Sequence, residues 1–175
     1  MILYNKQGKL KRAKRAFMDI VGHPIEARND REFGLQNALK ELAIINTGRM
    51  YYKIERFEDS TKYYDLVAHD SAYWPEALFN GAWAHFMQNN LNEALGHLLT
   101  TQSPFFSEED FIPEVQYLKA LTYFNLCEYK SVERLLLQFK DRMRPFQTEL
   151  KEVVKGYASA ENRKRADKAW DAYMG

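Results

Sequence analysis

GRMYYKIERFEDSTKYYDLV (residues 48–67), AWAHFMQNNLNEALGHLLTT (82–101) and ALTYFNLCEYKSVERLLLQF (120–139) carry one pattern three times. Each has a small residue, an aromatic or histidine three places on, a polar turn, and then a second apolar stripe. The small residues are Gly48, Ala82 and Ala120, at spacings of 34 and 38. A small residue on one helix lets the next helix approach closely, and apolar residues at helical spacing on both can then interlock. The pattern predicts second helices that begin at Phe57, Leu91 and Tyr129. Tyr64, Leu98 and Leu136 follow seven residues on along the same face. Ser60, Ala94 and Val132 share a further column.

A helix–turn–helix unit of 34 residues is similar to the tetratricopeptide (TPR) repeat, and the resemblance covers about residues 41–146. It implies an all-α fold, a TPR-like α-solenoid of stacked antiparallel helix pairs in a right-handed superhelix, read as one domain over 1–175. Within that domain 1–27 is a partial repeat and 28–74 a repeat whose first helix extends backwards through Phe33, Leu35 and Leu39. Residues 75–112 form a repeat with the inserted connection SPFFSEEDF (103–111), which absorbs the four extra residues. Residues 113–145 form the third repeat, stopped by Pro145, and 146–175 a capping helix and tail. Phe146, Leu150, Val153, Val154 and Tyr157 lie on one face of the cap. The stretch LYNKQGKLKRAKRAFMDIV (3–21) resembles the end of a first helix and a whole second helix, with Leu10, Ala13, Phe17 and Ile20 on its apolar side. Its missing front half leads to the expectation that the chain is a fragment of a larger protein.

Composition narrows the function. The net charge of +1 argues against a chain that neutralises a phosphate backbone, so no nucleic acid is expected. No apolar run reaches the length of a membrane span, and residues 1–15 lack the apolar core of a signal peptide, so a soluble chain is expected. The single cysteine, Cys127, rules out an internal disulfide framework and a multi-cysteine zinc site. His23, His69, His85 and His97 show no paired metal-ligand spacing, and Glu93 with His97 reads as a helix-surface polar pair. Phosphate-binding glycine loops and nucleophile elbows are missing. The chain is therefore expected not to be an enzyme and to need no metal and no cofactor.

Binding is the expected work. In stacked helical hairpins the first helices line the concave face. The resemblance places Ile45, Arg49, Tyr52 and Lys53 there in the first full repeat, Phe79, Trp83, Phe86 and Met87 in the next, and Tyr117, Leu121, Phe124 and Asn125 in the third. TPR proteins that clamp an acidic carboxyl terminus put Lys, Arg and Asn in these columns; here only Arg49 is compatible. With aromatics at 14% of the chain, this face suits an apolar or amphipathic segment of a partner protein. The alternative is that a neighbouring helix or the displaced ends of the chain cover several of the rings. Asn46 and Asn80, matched between repeats, read as structural hydrogen-bonders. A basic run, Lys9, Lys11, Arg12, Lys14 and Arg15, with Lys6 just ahead and Asp19 the one acid, gives residues 1–22 a charge of +5 and reads as a solvated helix face or a docking patch for an acidic partner or anionic membrane surface.

The expected function is a non-enzymatic protein-interaction scaffold. The alternative is a structural segment of a larger envelope or motility assembly that stacks on further repeats, or self-associates, through its ends. Residues 103–139 also resemble the repeat region of large envelope-associated TPR proteins of predatory and gliding bacteria. That resemblance implies a periplasmic setting, with a cytoplasmic one as the alternative.

Overall fold

In the computed structural model the described residues, 10–103, 113–157 and 163–164, form seven helices and no strand. The fold is all-α. The helices are α1 (Leu10–Gly22), α2 (Asp30–Lys53), α3 (Phe57–Tyr64), α4 (Trp74–Met87), α5 (Leu91–Thr100), α6 (Pro113–Asn125) and α7 (Tyr129–Tyr157). Where the sequence reads one domain, the chain divides into two units, Met1–Glu128 and Tyr129–Gly175. Most of the inserted connection, the residues before Leu10 and most of the tail lie outside the described residues.

In the first unit each helix packs on the next, α1 on α2 through to α5 on α6, and α4 also touches α2 and α6. The second helices begin at Phe57, Leu91 and Tyr129, as the repeat predicts. What the repeat does not announce is the backbone conformation of the turn before each of them. Glu55, Asn89 and Cys127 adopt positive φ, at 61°, 61° and 59°, and stand at the spacings of 34 and 38 found in the sequence. Around each, the same two backbone bonds close the first helix. Glu55, Asn89 and Cys127 donate N–H to the carbonyls of Tyr52, Phe86 and Phe124 at 3.0 Å. Arg56, Asn90 and Glu128 donate to those of Tyr51, His85 and Tyr123 at 2.9–3.0 Å. This is the paired-bond motif that satisfies the orphan carbonyls of a helix end.

α2 starts cleanly because Asn29 accepts from the Glu32 N–H at 2.9 Å while the Glu32 carboxylate accepts from the Arg28 N–H at 3.0 Å. At its other side the Gln36 amide exchanges two bonds with the Glu26 backbone, and Lys40 donates to the His23 carbonyl, tying the end of α1 to α2. Helix α2 has the backward extension predicted, yet Phe33, Leu35 and Leu39 are exposed, and its buried stretch begins only at Glu41. On α1 the inward residue is Val21, four after Phe17, which packs against the first core cluster; Ile20, assigned to the apolar side, is exposed instead.

Two clusters make the core of this unit. Ile44, Ile45, Tyr64, Val67, Ala77 and Ala84 join α2, α3 and α4. Ala82, Leu98, Val115 and Leu118 join α4, α5 and α6. The small-residue column works as the sequence implies. A Cβ placed on Gly48 would stand 2.6 Å from a ring carbon of Tyr64, and Ser60 donates its hydroxyl to the Gly48 carbonyl at 2.8 Å. One repeat on, the pair is Ala82 and Leu98, both fully buried. A phenol ring over glycine and an isobutyl group over alanine fill the same space in two ways.

The second unit departs from the sequence reading. α7 runs through Pro145 without a break, so Pro145 does not stop the third repeat, and the expected cap is the far half of the same helix. Proline removes the bond its N–H would give to the Asp141 carbonyl. Residues 141 and 145 are both exposed, where water can satisfy that carbonyl. Leu136 is also exposed rather than buried. It stands in the run Leu135–Leu136–Leu137, whose three adjacent apolar residues give no phase to the helical period.

The Gly48–Tyr64 contact predicts a coupled pair. Gly48→Ala should destabilise the chain by about 1–3 kcal/mol through overpacking, and Tyr64→Leu by a similar amount through lost burial. The double variant, a copy of Ala82 and Leu98, should cost at least 1 kcal/mol less than the sum, on the order expected of contacting residues. Urea denaturation of the four proteins checks this, and strict additivity would refute the close approach.

Candidate functional site

Among the described residues a hollow of about 280 Å³ is lined by Arg49 and Tyr52 from α2, Tyr64 from α3, and Asn80 and Trp83 from α4. The repeat places these side chains. Arg49 and Trp83 occupy one column 34 residues apart, as do Asn46 and Asn80, and Tyr52 and Phe86. The first helices of two successive pairs thus present equivalent positions side by side, and Tyr64 is set from below by its contact with Gly48.

The polar groups of the hollow are mostly engaged within the protein. The Arg49 guanidinium pairs with the Glu76 carboxylate at the rim, where both side chains are more than a third exposed. Exposed pairs of this kind contribute about 0–1 kcal/mol, but the pairing leaves the hollow without an uncompensated cation. Asn80 donates to the Glu76 carbonyl of its own helix at 2.7 Å. Burial pushes the Tyr64 phenol up to about 12, against the opposing pull of the Ser60 hydrogen bond and the Arg49 charge. Burial also raises Tyr52. Both phenols are therefore neutral hydrogen-bonding groups at ordinary pH.

Of the residues expected on the binding face, the hollow brings together Arg49, Tyr52 and Trp83. Phe79, Trp83 and Phe86 also pack against the second core cluster, and Trp83 meets Phe86 edge to face at 6.0 Å. These rings are partly structural. Ile45 is fully buried and belongs to the core. Leu121 is half-buried, and Lys53, Met87, Tyr117, Phe124 and Asn125 are exposed outside the lining. Asn80 keeps its structural bond while facing the hollow, whereas the Asn46 side-chain oxygen is buried with no hydrogen-bond partner.

Tyr64 was legible only as a core residue. The signal that could have marked it is the large ring opposite a glycine in a column where the next repeat pairs leucine with alanine. Lys119, another residue the sequence did not single out, is buried on α6; its ammonium donates to the Gln102 side chain, and burial lowers its pKa.

Arg12 and Arg15 are exposed, but Lys14 is half-buried, its ammonium 4.1 Å from the centre of the Tyr51 ring. Tyr51 also receives Arg56 at 5.2 Å and stacks on Tyr63 at 5.2 Å. Lys14 thus helps dock α1, a contact worth about 0.5–2 kcal/mol. Lys9, and the side chain of Lys11, lie outside the described residues.

The Glu93–His97 surface pair is replaced by a histidine pair. His97 packs its ring on Gly81 and holds Nδ1 3.3 Å from the Leu78 carbonyl, so Nδ1 carries the proton. Its ring meets His85 edge to face at 5.0 Å, and His85 Nδ1 is buried without a partner. Among the described residues no group of three or more His, Cys, Asp or Glu stands together to hold a metal ion, and no helix is long and apolar enough to cross a membrane.

Comparison with protein families, curated proteins and solved structures finds no match.

Burial first, then His97, lowers the His85 pKa against the pull of Asp65 and Glu93. The folded state therefore binds fewer protons here than the unfolded state. Stability should fall as pH drops through the ordinary histidine value of 6.5 and level off below the folded value. Thermal unfolding between about pH 7.5 and 5.5 should show a downward shift that His85→Gln reduces. An identical shift in the variant would remove His85 from the cause.

Proposed function

We propose that this chain is a protein-binding module of the tetratricopeptide kind, with no catalysis of its own. In this reading α2/α3 and α4/α5 are stacked antiparallel pairs of a right-handed α-solenoid. An apolar or amphipathic segment of a partner protein lies across Tyr52 and Trp83. The observation that carries it is the recurrence of one turn, with one left-handed residue and the same two backbone bonds, at spacings of 34 and 38. That recurrence sets equivalent side chains of successive first helices around one hollow.

The chemistry of the hollow favours an apolar guest. Two neutral phenols and an indole give large contact areas at small entropic cost. Because Glu76 already neutralises Arg49, a carboxylate clamp has no cation to spare. Ring-bearing surfaces of this kind take a helix or an extended segment through a few buried anchors.

A second reading draws on Phe33, Leu35 and Leu39, which are exposed along the start of α2. Leu35 and Leu39, four apart, lie on one face of the helix, and apolar side chains exposed there suit a segment that stacks on further repeats in a larger assembly; the resemblance over 103–139 would set that assembly in the cell envelope.

Selection from a displayed peptide library tests the first reading. Bound peptides should carry apolar residues at helical or alternating spacing, and Tyr52→Ala and Trp83→Ala should each weaken them at least about tenfold with an unchanged helical circular dichroism spectrum. Peptides that bind both variants as well as the parent protein would place the binding face elsewhere.

A further inference from the structure

The apolar residues of α7 recur in a strict alternation of three and four: Leu136, Phe139, Met143, Phe146, Leu150 and Val153. Val132 and Tyr129 continue it backwards. Leu136, Phe146, Leu150 and Val153 are each more than half exposed, and Phe139 and Met143 are half-buried. A mean period of 3.5 residues keeps a seam in line along a helix that winds around another helix. Pro145 and Asp141 lie off this seam, so the proline does not enter it.

We propose that the occupant of this seam is a second copy of the chain, the two α7 helices running antiparallel about a two-fold axis level with Arg144 and Pro145. In that register Leu136 faces Val153 of the second copy, Phe139 faces Leu150 and Met143 faces Phe146. Every layer sets a larger side chain against a smaller or more pliable one, as close packing requires. A parallel, in-register pair would instead set Phe139 on Phe139 and Phe146 on Phe146.

Charge selects the same orientation. Flanking residues fix direction in paired helices. Antiparallel pairing brings Arg142 opposite Glu149 of the second copy, and the two-fold axis repeats the contact. Parallel pairing would bring Arg142 to Gln147 and Glu149 to Val154, with no opposite charges meeting. Arg142 and Glu149 are both exposed. This seam lies in the Tyr129–Gly175 unit and owes nothing to the hollow of the first unit.

Sedimentation equilibrium of the full chain tests the proposal, from low micromolar to about millimolar concentration. Reductant keeps the exposed Cys127 from linking copies. The mass should double across that range. Leu150→Glu combined with Val153→Glu, at exposed positions, should keep the chain monomeric with unchanged helicity. Arg142→Glu and Glu149→Arg should each weaken the dimer by about tenfold, and mixing the two variants should restore it, because both contacts again join opposite charges. A monomer at every concentration, which is also the outcome if a different protein covers the seam, overturns the proposal. So does a dimer that survives the Leu150/Val153 change. Charge variants that do not recover on mixing overturn the antiparallel pairing.

Discussion

The helix pairs of the Met1–Glu128 unit depend on how the backbone reverses after each first helix. A residue with a side chain held at φ near 60° costs about 1–2 kcal/mol, and Glu55, Asn89 and Cys127 all adopt that conformation. The cost is tolerable because each turn recovers two backbone hydrogen bonds for a helix end that would otherwise leave its carbonyls to water. It also fixes the phase of the second helix. Within this unit Phe57 and Leu91 start two residues after the left-handed position, and the same register brings Tyr64 onto Gly48 and sets Leu98 beside Ala82 in the second cluster.

From that register comes the hollow. When two successive pairs share a turn, their first helices present matching positions at matching heights, so Arg49 and Trp83, or Asn46 and Asn80, become neighbours in a series. The differences between columns then decide the chemistry. A glycine at 48 admits the Tyr64 ring, whose hydroxyl burial keeps neutral. Glu76 compensates Arg49, and the rings of Tyr52 and Trp83 define what remains. The same close packing creates the histidine pair, since His97 fits against Gly81 and is thereby held beside His85.

Much of this was legible in the residues. The spacing of Gly48, Ala82 and Ala120 located the second helices to the residue, and the apolar stripes at Tyr64 and Leu98 named buried side chains. Other features were hidden for physical reasons. None of the three left-handed residues is glycine, so composition did not flag the left-handed conformation inside the polar turns. On α1 two adjacent apolar residues, Ile20 and Val21, competed for one inward position. In α7 the run Leu135–Leu136–Leu137 offered three registers, and Pro145 reads as a stop, although a proline on an exposed helix face leaves a carbonyl that water can reach. The basic run counted Lys14 as surface charge because nothing in a sequence shows that the Tyr51 ring lies 4.1 Å from its ammonium. The hollow was legible by column, but not Tyr64's place in it, which depends on the missing side chain of Gly48.

The most direct measurement is the backbone conformation of Glu55, Asn89 and Cys127 in solution, read from carbon chemical shifts and the coupling between amide and α protons. A repeat built on one turn requires all three to be left-handed at once, with amide exchange protected at Arg56, Asn90 and Glu128 by their bonds to Tyr51, His85 and Tyr123. A right-handed or extended conformation at any of the three, with rapid exchange at the following residue, would contradict it.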